Sequence, residues 1–210
     1  MSKEAISYDH LVNDLQGKGK NDRALGILIG NPNCEFVKNN IINKIAEYHH
    51  RSNYGIDFYF PGYGTLWGGL YGLYPDVENV CKIKGEVWAF STQSFCEFID
   101  KLEDCSIWKY SGETELIILN FKNGELDFSE VLVFWLDRMV KEDVISSPSN
   151  FFQDIFRMFK HNASIERIRD KLSFNQLGTT IINSIKNSIP YKLGKIYDDA
   201  KYFCTRNLSK

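Results

Sequence analysis

A chain of 210 residues, 43% hydrophobic and 25% charged, suits one globular domain with an appendage. Its first residues, Met1-Ser2-Lys3-Glu4, carry charge at once, and no apolar run approaches the roughly 18–20 residues that a spanning helix needs. Secretion and membrane insertion are therefore not expected, and the chain reads as cytoplasmic. The net charge of −2 is unevenly spread: residues 157–210 hold eleven Lys and Arg against four Asp and Glu, and the preceding residues are acidic. A basic tail on an acidic body either packs on that body or meets an acidic partner, nucleic acid among them.

In chain order, residues 1–22 are polar and read as a flexible lead with Gly17-Lys18-Gly19-Lys20 at its end. Ala24–Ile29 is a continuous apolar run of strand length, broken by Gly30-Asn31-Pro32-Asn33. A helix from about Glu35 to Ser52 follows, with Val37, Ile41, Ile45 and Tyr48 on one face and Asn33 as its expected cap. Asn53-Tyr54-Gly55 stops it, and Ile56–Phe60 is a second strand. Strand, helix, strand in this order is the unit of a parallel crossover.

Residues 61–75 hold five Gly, four aromatics and no charge. A third strand is expected at Glu86–Phe90. A helix capped by Ser91 or Thr92 then runs to about Asp104, with Phe95, Phe98, Ile99 and Leu102 on its apolar stripe. Glu113–Phe121 is a fourth strand, and Asn123-Gly124 is the signal of a two-residue hairpin turn into a short fifth strand, Glu125–Phe128. Asp127 and Glu130 then resemble a capping box for a helix from Ser129 to about Glu142.

From Ser146 onward the pattern is helical. Pro148 opens one helix, a second is lined by Phe174 to Ile189, and the stretch from Tyr191 to about Cys204 reads as a last one. The expected fold is α/β. A central mixed sheet of about five strands, largely parallel with one antiparallel hairpin, is flanked by helices over residues 23–145, and 146–210 form a helical basic extension.

Ligands of open α/β sheets bind beyond the carboxyl ends of parallel strands. That rule selects two loops: Gly30–Cys34, where Asn31 and Asn33 offer donors and acceptors, and the aromatic-glycine loop, where Tyr63, Trp67 and Tyr71 offer flat faces for a ligand or a partner. Neither a Walker A nor a G-x-G-x-x-G pattern is present, and no motif names a cofactor. Glu113 and Glu115, two residues apart, are candidate acid–base carboxylates, and Asp57 is a weaker one.

The five cysteines form no C-x-x-C and sit at no zinc-like spacing, so free thiols and no metal site are expected; adjacent His49 and His50 point too far apart to chelate together. A strand leading to Cys34 at a helix start, with a later hairpin and helix, resembles the thioredoxin-like order over roughly half the chain. The second redox cysteine of that family is missing, because Phe36, Val37 and Lys38 follow Cys34.

Two functional readings follow. One is a non-catalytic accessory module of a prokaryotic or phage multiprotein system, which binds a protein partner or a second copy through the aromatic-glycine loop and the basic tail. The other is a nucleotide- or NAD-handling domain, hydrolase, transferase or sensor, with phosphate on Asn31–Cys34, a base against Tyr63 or Trp67, and Glu113 or Glu115 near the reacting bond.

Overall fold

The computed structural model describes residues 2–19, 23–51, 56–65, 67, 73–161 and 202–210. Strand β2 (Arg23–Ile29) is the continuous apolar run read from the sequence, and it sits inside a sheet with neighbours on both sides. Strand β3 (Asp57–Pro61) runs parallel to it, Leu25 opposite Asp57 and Ile27 opposite Tyr59. The helical crossover between them is not one helix. It breaks into α2 (Glu35–Asn40), a 3-10 turn (Ile42–Lys44) and α3 (Ile45–Arg51). The break falls in Asn39-Asn40-Ile41-Ile42-Asn43, where Asn and β-branched residues favour the helix least. The Asn40 carbonyl left over at the break accepts the Tyr48 hydroxyl at 2.9 Å.

Residues 2–17, read from sequence as part of a flexible lead, are built into the fold. Strand β1 (Ser2–Ala5) pairs parallel with β3, and helix α1 (Tyr8–Gly17) buries Leu11 and Leu15 completely. Ser7 caps α1 by accepting the His10 N–H at 3.1 Å. The helix carries only two fully buried apolar residues, too few to stand out among polar neighbours.

The other half of the sheet is antiparallel. Strand β7 (Glu115–Lys122) pairs with β2, strand β8 (Glu125–Trp135) with β7, and strand β9 (Phe203–Arg206) with β8. The sheet is thus mixed, six strands in the order β1-β3-β2-β7-β8-β9. The Asn123-Gly124 turn is as expected, with φ of 53° and 89°.

Two readings change here. The helix expected from Ser129 is strand as far as Trp135, and only Leu136–Lys141 (α5) is helical. Val131, Leu132, Val133 and Phe134 are buried on both faces between β7 and β9, so their spacing imitates a helical stripe. Asp127 caps no helix. It accepts the Ser129 N–H at 2.9 Å and Lys122 Nζ at 2.5 Å, where the β7–β8 register slips. The second change is at the C-terminus, where Phe203–Arg206 is strand rather than helix end. Helix α6 (Pro148–His161) starts at Pro148 as expected, while the helix expected over Phe174 to Ile189 lies outside the described residues.

Phe58 meets Phe152 and Phe156 of α6 edge-on, at 5.7 and 5.3 Å between ring centroids. The next residue, Tyr59, donates its hydroxyl to Asp14 of α1. Neighbouring strand residues point to opposite faces, so α6 and α1 cover opposite sides of the sheet. Gly26 is required on the α6 side, since a Cβ there would stand 2.5 Å from the Phe58 ring.

A second sheet holds β4 (Tyr63–Gly64), β5 (Glu78–Ile83) and β6 (Glu86–Phe90) in the order β4-β6-β5. The strand expected at Glu86–Phe90 therefore belongs here, not in the central sheet. Its partner β5 escaped notice because it is half exposed and charged at both ends; the turn between them, Lys84-Gly85, has φ of 52° and 88°. Helix α4 (Thr92–Cys105) follows, capped by Ser91 and burying Phe95, Phe98, Ile99 and Leu102 as read from sequence.

Gly62 joins the two sheets. Its N–H donates to Ala5 O and its carbonyl accepts the Ser91 N–H, at 2.9 and 3.1 Å. Its φ is +79°, and a Cβ would lie 2.8 Å from Phe95 Cβ and 3.0 Å from Ser91 O. Gly62→Ala should lower stability in urea denaturation by about 2–4 kcal/mol, from crowding and a left-handed backbone together. Gly112, with φ +84° but open space around it, isolates the backbone part; Gly112→Ala should cost about 1–2 kcal/mol. Equal losses in the two variants would contradict the junction's tight packing.

Candidate functional site

The loops beyond β2 and β3 do lie side by side. Tyr63 donates its hydroxyl to the Gly30 carbonyl at 3.0 Å, tying the second loop to the first. The side chains singled out there are differently used than expected. Tyr63 and Trp67 are each 1% exposed, so neither ring offers a face to a ligand. Trp67 donates its indole N–H to Gly64 O at 2.8 Å and packs with Ile6, Ala89 and Tyr74. Trp67 and Tyr74 thus belong to a small second core, and Tyr63 to the main one. Tyr71 lies outside the described residues.

The loop is fastened at several further points. Glu4 accepts the Thr65 N–H at 2.9 Å and the Thr65 hydroxyl at 2.6 Å. Asp76 accepts the Ser91 hydroxyl at 2.6 Å and the Gln93 N–H at 2.9 Å, so its carboxylate occupies the N-terminus of α4.

At the first loop, Asn31 Oδ1 accepts the Asn33 N–H at 2.9 Å, a local turn closed by its own side chain. Asn33 is exposed and does not cap α2. Cys34 holds the cap position and makes no side-chain cap bond.

Glu115 stands at the start of β7, opposite Ile29 at the carboxyl end of β2, and is fully buried. One oxygen accepts the Trp108 indole N–H at 3.0 Å; the other accepts the Ser111 N–H at 2.9 Å and the Ser111 hydroxyl. Burial raises its pKa, the bonds from Ser111 and Trp108 oppose this, and the nearby Glu113 charge adds to the rise. Glu113 precedes the strand and accepts Arg138 Nη2 at 2.6 Å, and Arg138 lies over the Trp135 ring. The two glutamates are near each other, yet one is sealed and the other is ion-paired. Tyr110 has its hydroxyl pushed up to about 12 by burial and by the Glu115 and Asp137 charges.

Asp57 lies at the other end of the parallel strands. Lys18 Nζ bonds Asp14 at 2.5 Å, Asp57 at 3.0 Å and the Tyr59 hydroxyl at 2.9 Å; Tyr59 in turn donates to Asp14 at 2.6 Å. Burial alone would raise both aspartates. Bonds from Lys18 and Tyr59 hold Asp14 below its ordinary value, and several positive charges, the terminal ammonium first and then Lys18, do the same at Asp57. This is a closed knot that fastens α1 to β3.

A different place is open. An exposed cleft of ≈ 470 Å³ lies beside the β7–β8 turn, lined by Leu126, Phe128, Lys122, Glu125, Ser209 and Lys210 among others. Its geometry follows from the turn. In a two-residue hairpin the residues flanking the turn, Lys122 and Glu125, bond each other, so the next residue, Leu126, points its N–H and C=O away from β7. On that outer side β9 covers only Val131–Phe134. The chain then makes one more bond, Leu208 N–H to Phe128 O at 2.8 Å, and leaves β8 to pair Ser209 with Ser106. By this alternation the Leu126 main chain faces the cleft side, while the residue as a whole is 8% exposed. Sequence reading passed this over because the C-terminal strand that defines the cleft reads as helix.

Among the described residues, no group of three or more His, Cys, Asp and Glu is placed to hold a metal ion, and no helix is long and apolar enough to cross a membrane. The basic tail read from sequence falls largely outside the described residues. No protein-family model matches the chain, and neither a curated protein nor a solved structure does.

Two variants test these networks. Lys18→Met should cost about 2 kcal/mol at pH 7, a charged hydrogen-bond loss reduced by side chains that are about a quarter exposed. Depressed aspartate pKa values stabilise the fold above the ordinary value of 3.8 and stop doing so as pH falls through the folded values. The gap between wild type and Lys18→Met should therefore be widest above pH 5 and shrink as pH falls through the folded aspartate values; a constant gap in pH-dependent urea melts contradicts the knot. Glu115→Gln should also lose about 1–3 kcal/mol at pH 7, because its amide sets a donor against a donor. Wild type gains stability as pH falls through the raised Glu115 pKa toward the ordinary 4.5, and the Gln variant should lack that gain.

Proposed function

We propose that this chain is a protein-interaction module, and that it takes an extended segment of a partner protein at the turn end of β8, beside Leu126. The reading rests on the open cleft between β8 and the departing C-terminal residues, and on the hairpin register that turns the Leu126 main chain to that side. A sheet edge of this kind recognises an extended peptide by main-chain hydrogen bonds, with rim side chains setting register. Glu125 and Lys210 are exposed at the rim, and the Lys122–Asp127 pair, 2.5 Å apart, stands beside them. An accessory role also fits the carboxylates: Glu115, Glu113 and Asp57, the acid–base candidates, are each engaged within the chain.

The test is selection of peptides from a random display library on the full chain, followed by amide chemical-shift mapping of the best binder. Shifts centred on Leu126, Phe128, Ser209 and Lys210 are expected. Shifts centred on Asn31–Cys34 and Tyr63 would overturn the docking site. A panel of nucleotides, NAD and cyclic dinucleotides in a thermal-shift assay runs alongside. A ligand at about 100 times its dissociation constant adds about 2.7 kcal/mol, so a clear rise with one nucleotide class would favour the nucleotide-handling reading instead.

A further inference from the structure

We draw no further inference here: the strongest candidate, the exposed thiols Cys34 and Cys96 around Tyr110 at the carboxyl ends of the parallel strands, carries nothing, because only their electrostatic influence on the Tyr110 hydroxyl links them and no second feature points to a ligand.

Discussion

One backbone junction holds the two sheets of this protein in register. At Gly62 the chain leaves β3, accepts and donates a main-chain bond within one residue, and enters β4. The donated bond ends on β1, and the accepted one comes from Ser91, the cap of α4. Only a residue without a Cβ fits between Phe90, Phe95 and the Ser91 carbonyl. Everything nearby is referenced to that point. Tyr63, the next residue, reaches back to Gly30; Thr65 is held by Glu4; Trp67 closes the small core over Ala89. In a segment that in isolation suggests a binding loop, Gly62, Tyr63, Thr65 and Trp67 instead tie the architecture together.

The legible part of the fold was its apolar skeleton. Ala24–Ile29, the Phe95–Leu102 stripe, the Asn123-Gly124 turn and Pro148 each carry a local signal that tertiary context leaves unaltered, and each appears where the sequence puts it. The misread parts have physical causes. Residues 131–136 are apolar in a run, and such a run is ambiguous between a buried helix and a strand covered on both faces; β9, the strand that pairs with it edge to edge, lies about 70 residues later, beyond the reach of periodicity. Helix α1 is recognisable by Ser7 and the Leu11–Leu15 spacing only once β3 is known to need a neighbour.

The candidate site was less legible than the fold. Asp57, Glu113 and Glu115 were reasonable as chemical groups, but a carboxylate's role depends on its partners, and those come from Lys18, Arg138 and Trp108. Glu115 and Asp57 illustrate opposite outcomes of burial. Glu115 has only neutral donors and is pushed up; Asp57 stands among positive charges, Lys18 one of them, and is held down. The open edge of β8 has no side-chain signature at all. It exists because the two-residue turn fixes which way Leu126 faces and because the C-terminal chain departs after Leu208.

The central claim is that this edge is free to pair. The most direct measurement is amide hydrogen exchange of the full chain, comparing Leu126 with Asp127, its neighbour in a bonded pair with Asn120. The account predicts that the Leu126 amide exchanges at least about 100-fold faster than that of Asp127. Equal protection at both would mean that the chain already covers its own edge, and the docking site would be lost.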